Sequence, residues 1–110
     1  YKTLAGEMVD PSSASLTTRI WSMGQVHRVL PLTGAMCLAV ACKIPGTLCE
    51  RNTKGEGVDI KLANPSGVLP LNAAVEVQGN KIIARHVTAY RTARTLMEGN
   101  VLVPDQTHQI

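Results

Sequence analysis

One uncharged stretch in the first half of the chain constrains the fold more strongly than any other feature. Residues 34–42 ("GAMCLAVAC") carry no charged side chain and lie between Thr33 and Pro45. Thr33 is a suitable N-cap and a proline cannot continue a helix, so the pattern predicts a helix over residues 33–44. A helix without a polar face is normally buried. We therefore expect a central helix surrounded by other elements, and not a membrane segment, which needs about 20 apolar residues.

Two further patterns predict the elements around this helix. Residues 10–24 ("DPSSASLTTRIWSMG") begin with a capping Asp10, end at Gly24 and have apolar residues at helical spacing. From residue 58 onward, apolar side chains alternate with polar ones, which is typical of β-strands. The predicted strands cover about 47–51, 58–62, 69–77, 81–91 and 100–103, with turns at "NPSG" (residues 64–67) and "QGN" (residues 78–80).

This order of elements predicts the fold class. Two helices followed by antiparallel strands indicate an α+β fold, with a curved, mostly antiparallel sheet wrapped around the buried central helix. The length of 110 residues suits a single domain. Because the chain has one Trp, two Tyr and no Phe, its core must be aliphatic.

The composition narrows the classes of function and location. The net charge is +3, but basic residues are scattered and aromatic stacking platforms are scarce, which argues against a nucleic-acid partner. A modest positive charge suits small polyanionic metabolites better. Nothing resembles a signal peptide, and the three cysteines, Cys37, Cys42 and Cys49, form no metal or disulfide pattern. We expect buried free thiols in a reducing cytoplasm and no membrane association.

Two short motifs are candidate anion sites. The N-terminus of a buried helix presents unpaired amides, and Thr33 with Gly34 offers a hydroxyl and room for close approach. Ser66 and the amide of Gly67 in "NPSG" form the second candidate. Each motif also has a structural explanation. The first can be an ordinary N-cap with a glycine chosen for packing, and the second can be a plain turn.

Four further side chains could take part in chemistry. His27 precedes the central helix and is either a structural histidine or an acid-base residue. Arg91 and Arg94 could each bind a carboxylate or simply face solvent. Cys37 lies near the front of the helix, where the dipole lowers a thiol pKa and apolar neighbours raise it. The sequence contains no Ser/His/Asp order, phosphate loop or HExxH-like metal motif.

Three longer segments carry a resemblance. They are "IWSMGQVHRVLPLTGAMCLAVACKIPGT", "NPSGVL" and "YRTARTLMEGNVLVP", in this order. Together they resemble the C-terminal domain of the PrpF-type aconitate isomerase family, which includes methylitaconate isomerase and oxalomesaconate tautomerase. The resemblance covers nearly the whole chain. It implies that residues 1–110 form one half of a diaminopimelate epimerase-like fold, in which two similar domains flank a cleft that holds the active site.

The resemblance also implies an activity and a set of site residues. The family isomerises unsaturated di- and tricarboxylates by proton abstraction and return, without cofactor or metal. His27 matches the family histidine after Ser-Met-Gly and is a candidate acid or base. The family's catalytic lysine and a neighbouring cysteine belong to the N-terminal domain and have no counterpart here. The residues that match substrate-binding positions are Thr33, Gly34, Ala35, Ser66, Gly67 and Arg91.

Three interpretations of this half-site remain open. In the first, the chain is a fragment of a full isomerase and is inactive alone. In the second, it is a subunit whose homodimer imitates the two-domain enzyme. In the third, it is a non-catalytic binding or dimerisation module. The start at Tyr1 without Met favours the fragment. The expected partners are a small polycarboxylate and either the missing N-terminal domain or a second copy of the chain.

Overall fold

The computed structural model describes residues 1–55 and 57–105 and confirms an α+β architecture. A short 3-10 helix, Pro11–Ser13, precedes the regular elements. These elements are β1 (Leu16–Thr17), β2 (Trp21–Ser22), β3 (Gln25–Val26), α1 (Leu32–Ala41), α2 (Leu48–Asn52), β4 (Asp59–Asn64), β5 (Gly67–Gln78) and β6 (Lys81–Ala89).

The main sheet has four strands in the order β1-β4-β5-β6. β1 runs parallel to β4, and the other neighbours are antiparallel, so the sheet is mixed. The predicted turns at residues 64–67 and 78–80 are confirmed, because they join β4 to β5 and β5 to β6. Strands β2 and β3 form a separate hairpin.

The core lies between α1 and one face of this sheet. α1 contacts β5 and β6 and buries Ala35 and Ala39 completely. On the sheet side, Leu62 and Leu71 are the largest fully buried side chains. Leu30, Cys42, Ile60 and Ala73 complete the buried cluster. Small helix residues thus bring the α1 backbone close to large aliphatic side chains of the sheet, which gives dense packing.

The predicted central helix exists, but its bounds and its burial differ from the prediction. It begins at Leu32 with Pro31 at the N-cap, so Thr33 is a helical residue and not the cap. It ends at Ala41, before a tight turn in which the Ile44 amide donates to the Ala41 carbonyl at 3.1 Å. Burial on all sides is not found. α1 contacts β5, β6 and α2, but Leu32, Thr33 and Cys37 are exposed.

The helix predicted for residues 10–24 is wrong. Asp10 does cap, since its Oδ1 accepts from the Ser12 amide at 2.8 Å, but the helix lasts only one turn. The chain then pairs with β4 and forms the β2–β3 hairpin. Its two-residue turn has positive φ at Met23 (51°) and Gly24 (81°), as a type I′ turn requires. The pairing of β1 with β4, which is distant in the sequence, therefore decides the local structure, and the helical spacing of the apolar residues does not.

Two predicted strands are also wrong. Residues 47–51 contribute to α2, which Thr47 caps by accepting from the Glu50 amide at 3.1 Å. The spacing Thr47-x-x-Glu50 is a capping-box signal that indicates a helix start. Residues 100–103 form no strand, and within the described ranges no helix or strand follows Ala89.

No helix within residues 1–55 and 57–105 is long and apolar enough to cross a membrane.

We predict that Leu71→Ala lowers the free energy of unfolding by about 2–5 kcal/mol, because it leaves a cavity beneath α1. Leu48→Ala is the matched control, since Leu48 is 73% exposed and should change stability by less than about 0.5 kcal/mol. Urea unfolding followed by circular dichroism measures both variants. Equal losses in the two variants would contradict the core described above.

Candidate functional site

An open cavity of about 420 Å³ lies where the β4–β5 turn meets the front of α1. Residues 29–32 form one wall of it. The opposite wall is formed by Asn64, by the first residues of β5 and by Arg91. Of the predicted substrate-binding residues, the structure brings Ser66, Gly67 and Arg91 to this cavity.

The "NPSG" turn is held by hydrogen bonds within the turn and to distant segments. The Ser66 amide donates to Asn64 Oδ1 at 3.0 Å, which closes an Asx turn. The Ser66 hydroxyl donates to the Arg28 carbonyl at 2.6 Å and so ties the turn to the opposite wall. The Tyr1 hydroxyl donates to the carbonyls of Asn64 at 2.6 Å and Gly67 at 3.3 Å. The turn therefore shapes the cavity, and the Ser66 donors already have acceptors within the chain.

Gly67 is required at this turn for a backbone reason. Its φ of +132° is disfavoured for residues with a side chain, and nothing lies within 4 Å of where a Cβ would stand. The space beside Gly67 is open toward the cavity. A ligand can thus approach the backbone here without meeting a side chain.

The front of α1 lies beside the cavity, but the three residues predicted there differ in position. The first helical bond runs from the Ala35 amide to the Pro31 carbonyl at 2.8 Å, so the amides before Ala35 have no acceptor within α1. Thr33 is exposed, and Ala35 is fully buried in the core. A Cβ on Gly34 would stand 2.8 Å from Ile20 Cδ1, so this glycine permits close packing. None of the three lines the cavity, and their part in ligand binding stays a prediction.

Among the described residues, Arg91 is the cationic residue of the cavity lining. Among residues 1–55 and 57–105, the one ion pair joins Arg85 and Glu76 at 2.9 Å, away from this wall. Within the described part of the chain, the cavity lining contains no aspartate or glutamate. A guanidinium in a wall without carboxylates favours an anionic ligand. Arg94, the alternative arginine, does not line the cavity.

A tyrosine anchors the backbone next to Arg91. The Tyr90 hydroxyl donates to Asp59 Oδ1 at 3.0 Å, and Asn72 Nδ2 donates to the same oxygen at 3.2 Å. The hydrogen bond to Asp59 raises the pKa of Tyr90, with smaller contributions from burial and from the Asp59 charge. The phenol therefore keeps its proton, and the hydrogen bond, at neutral pH.

His27 lies in a neighbouring cavity of about 380 Å³, which shares Val29 with the first. The side chain is exposed, and its backbone amide donates to the Ile20 carbonyl at 2.8 Å. Arg28 also lines this second cavity. The structure thus places His27 next to the main cavity and outside its lining, and its role as acid or base stays a prediction.

The cysteines differ in environment. All three are free, but Cys37 is exposed and Cys49 is half-buried, so the expectation of three buried thiols is wrong. Burial raises the pKa of the Cys42 thiol, which favours its neutral, unreactive form. The described residues contain no group of three His, Cys, Asp or Glu side chains that could hold a metal ion.

Sequence reasoning missed Tyr1, Arg28 and Tyr90, which fix the walls of the cavity. The Tyr1 and Arg28 contacts to the turn join residues 63 and 38 positions apart, and no local pattern signals such contacts. The Asx turn at Asn64 could be predicted from the sequence, because Asn-Pro-Ser-Gly is a typical Asx-turn sequence.

Known proteins match nearly the whole length of this chain. The family described as "PrpF protein" matches residues 1–104. The chain is 35% identical over 106 residues to the 2-methyl-aconitate isomerases of Shewanella oneidensis and Cupriavidus necator, covering 94% of this chain and 26% of each relative. It is 30% identical over 103 residues to the 3-methylitaconate isomerase of Eubacterium barkeri, covering 92% and 25%. The chain thus spans about a quarter of the length of these relatives.

We predict that Gly34→Ala changes the free energy of unfolding by less than about 1 kcal/mol. Alanine favours a helix by about 1 kcal/mol over glycine, and this gain offsets the displacement of the flexible Ile20 side-chain end. Urea unfolding of Gly34→Ala, Ile20→Val and the double variant measures the effect. The two changes should couple favourably, because Ile20→Val removes the crowding Cδ1 atom. A loss above about 2 kcal/mol that Ile20→Val does not relieve would contradict this packing.

Proposed function

Because this chain belongs to the PrpF protein family, we propose that it is part of an isomerase or tautomerase of unsaturated di- or tricarboxylates. In this proposal the chain supplies carboxylate-binding elements, and the proton moves without a cofactor. The names of the relatives support the substrate class, because aconitates are unsaturated tricarboxylates and itaconates are unsaturated dicarboxylates. The proposed location is the cytoplasm, where free thiols stay reduced.

Arg91 carries the proposal. It lines the cavity without a neighbouring carboxylate among the described lining residues, and no described acidic side chain forms an ion pair with it. A guanidinium presents parallel N–H donors that match the two oxygens of a carboxylate. We propose that the Arg91 guanidinium binds one carboxylate of the substrate.

Backbone groups near the front of α1 complete the proposed carboxylate-binding site. The unpaired amides of Leu32, Thr33 and Gly34 form the positive end of the α1 dipole, which favours a second anionic group. Ala35 supports this end of the helix from the core. Ser66 and Gly67 set the shape of the opposite wall, and Gly67 leaves its backbone open to a ligand.

The rest of the proposed enzyme lies outside this chain. We propose that the chain is one half of a diaminopimelate epimerase-like fold, and that the other half covers the exposed side of α1 and brings the catalytic lysine. The exposure of Leu32, Thr33 and Cys37 on α1 supports this arrangement. In this arrangement the isolated chain is inactive. His27, beside the cavity, is the candidate acid or base of the alternative arrangement, a homodimer of this chain.

We predict that the chain binds trans-aconitate in a calorimetric titration at low ionic strength, and that Arg91→Met weakens the affinity by roughly 10- to 100-fold. This range follows from the 1.5–3 kcal/mol or so of a charged hydrogen bond. Arg94→Met is the matched control, because it removes the same charge outside the cavity lining.

The titration has two outcomes that count against the proposal. One is the absence of binding heat from a chain whose circular dichroism spectrum shows an intact fold. The other is an equal loss of affinity in Arg91→Met and Arg94→Met, which would point to general charge attraction in place of a site.

A second candidate function is a stand-alone, non-catalytic binding or dimerisation module. Exposed apolar side chains in residues 96–103 favour it, since Leu96, Met97 and Leu102 are 81%, 83% and 94% exposed. The radius of gyration is 19.1 Å, whereas a compact domain of this length has about 13 Å. Apolar surface of this kind marks interaction sites.

We predict that the chain forms dimers at micromolar concentration, and that Leu102→Asp weakens the dimer because it places a charge in an apolar contact. Leu48→Asp is the control, because Leu48 is an exposed leucine in another element, α2. Sedimentation velocity measures the association state. A wild-type chain that stays monomeric over the whole concentration range removes the homodimer from consideration.

A further inference from the structure

We propose that Tyr90 is a positioning residue, which holds Arg91 at the cavity by anchoring the chain to Asp59. The inference rests on the proposed function, in which Arg91 binds a substrate carboxylate. Tyr90 itself does not line the cavity, so its effect on a ligand passes through Arg91.

The segment that carries Arg91 has very few attachments. Among the described residues, no backbone hydrogen bond joins residues 90–105 to the rest of the chain. The bond from the Tyr90 hydroxyl to Asp59 Oδ1, at 3.0 Å, is the one side-chain hydrogen bond that does so. Arg91 is the next residue after this anchor, and it lines the cavity.

The acceptor of the anchor is itself fixed. Asp59 begins β4, where it lies opposite Asn72 of β5 in the antiparallel register. Asn72 Nδ2 donates to the same Asp59 oxygen at 3.2 Å. Two paired strands therefore orient the carboxylate that receives the phenol proton. The anchor connects the end of β6 to β4 across β5, which ties the start of the segment to the sheet.

Removal of the hydroxyl releases the segment without disturbing the core. Tyr90 is 48% exposed, and the phenyl ring remains in Tyr90→Phe, so little packing is lost. No hydrogen bond of either kind then joins residues 90–105 to the rest of the described chain. Arg91 samples more conformations, and ligand binding must order them at a cost in free energy.

A first experiment tests the anchor without a ligand. Trypsin cleaves after Arg91, and mass spectrometry measures the rate of this cleavage in wild type, Tyr90→Phe and Asp59→Ala, which lack the donor and the acceptor of the anchor. We expect cleavage after Arg91 to accelerate about threefold or more in both variants, because a released segment enters a protease more readily. The rate after Arg51, in α2, is the internal reference and should stay constant. Unchanged cleavage after Arg91 overturns the inference.

A second experiment tests the link to the site with trans-aconitate. We expect Tyr90→Phe to weaken binding by about three- to tenfold in the wild-type chain and to have no effect in the Arg91→Met chain. Glu76→Gln is the control. It breaks the Arg85–Glu76 ion pair between β5 and β6 but leaves the Tyr90 anchor intact, so the affinity should stay unchanged.

The outcomes separate the two proposals. If the wild-type chain does not bind trans-aconitate, the proposed function fails and Tyr90 positions no ligand group. If the chain binds and Arg91→Met abolishes binding while Tyr90→Phe does not weaken it, the proposed function stands and the positioning role is wrong. An equal loss from Tyr90→Phe with and without Arg91 also overturns the role, because the effect would then not pass through Arg91.

Discussion

The structure depends on the close contact between α1 and the sheet. Ala35 and Ala39 are fully buried, and their small size lets the helix backbone approach the leucines of β4 and β5. Leu62 and Leu71 fill the space between the two layers. Because the chain has few aromatic residues, this aliphatic layer supplies most of the buried apolar area. The position of α1 in turn decides where residues 29–32 stand, and hence one wall of the cavity.

Polar contacts hold the "NPSG" turn and the segment that follows β6. The "NPSG" turn is joined to Tyr1 and to the Arg28 carbonyl, and Tyr90 is joined to Asp59. Each contact connects segments that lie far apart in the sequence. Hydrogen bonds have directional geometry, so they can hold a surface turn and a side chain in place where no core surrounds them.

Local sequence patterns predict helices and strands correctly where the tertiary contacts favour the same secondary structure. The alternation that predicted β4, β5 and β6 is confirmed, because one face of each strand meets the core or its margin. The helical spacing in residues 10–24 was misleading, since pairing with β4 and the Met23-Gly24 turn satisfy the backbone in another way. In the same manner Gly34 suggested an open approach for a ligand, whereas the structure shows the Ile20 side chain against it.

The sequence by itself determined the fold class, the central helix, the "NPSG" turn and the resemblance that the family match confirms. These features arise from periodicity, from backbone preferences of Pro and Gly, and from motifs of adjacent residues. Only the tertiary structure decided which candidates share a cavity. It placed Arg91 with Ser66 and Gly67, and left Arg94 and His27 outside the lining. The physical reason is that strand pairing and long-range hydrogen bonds, which no local pattern encodes, set these positions.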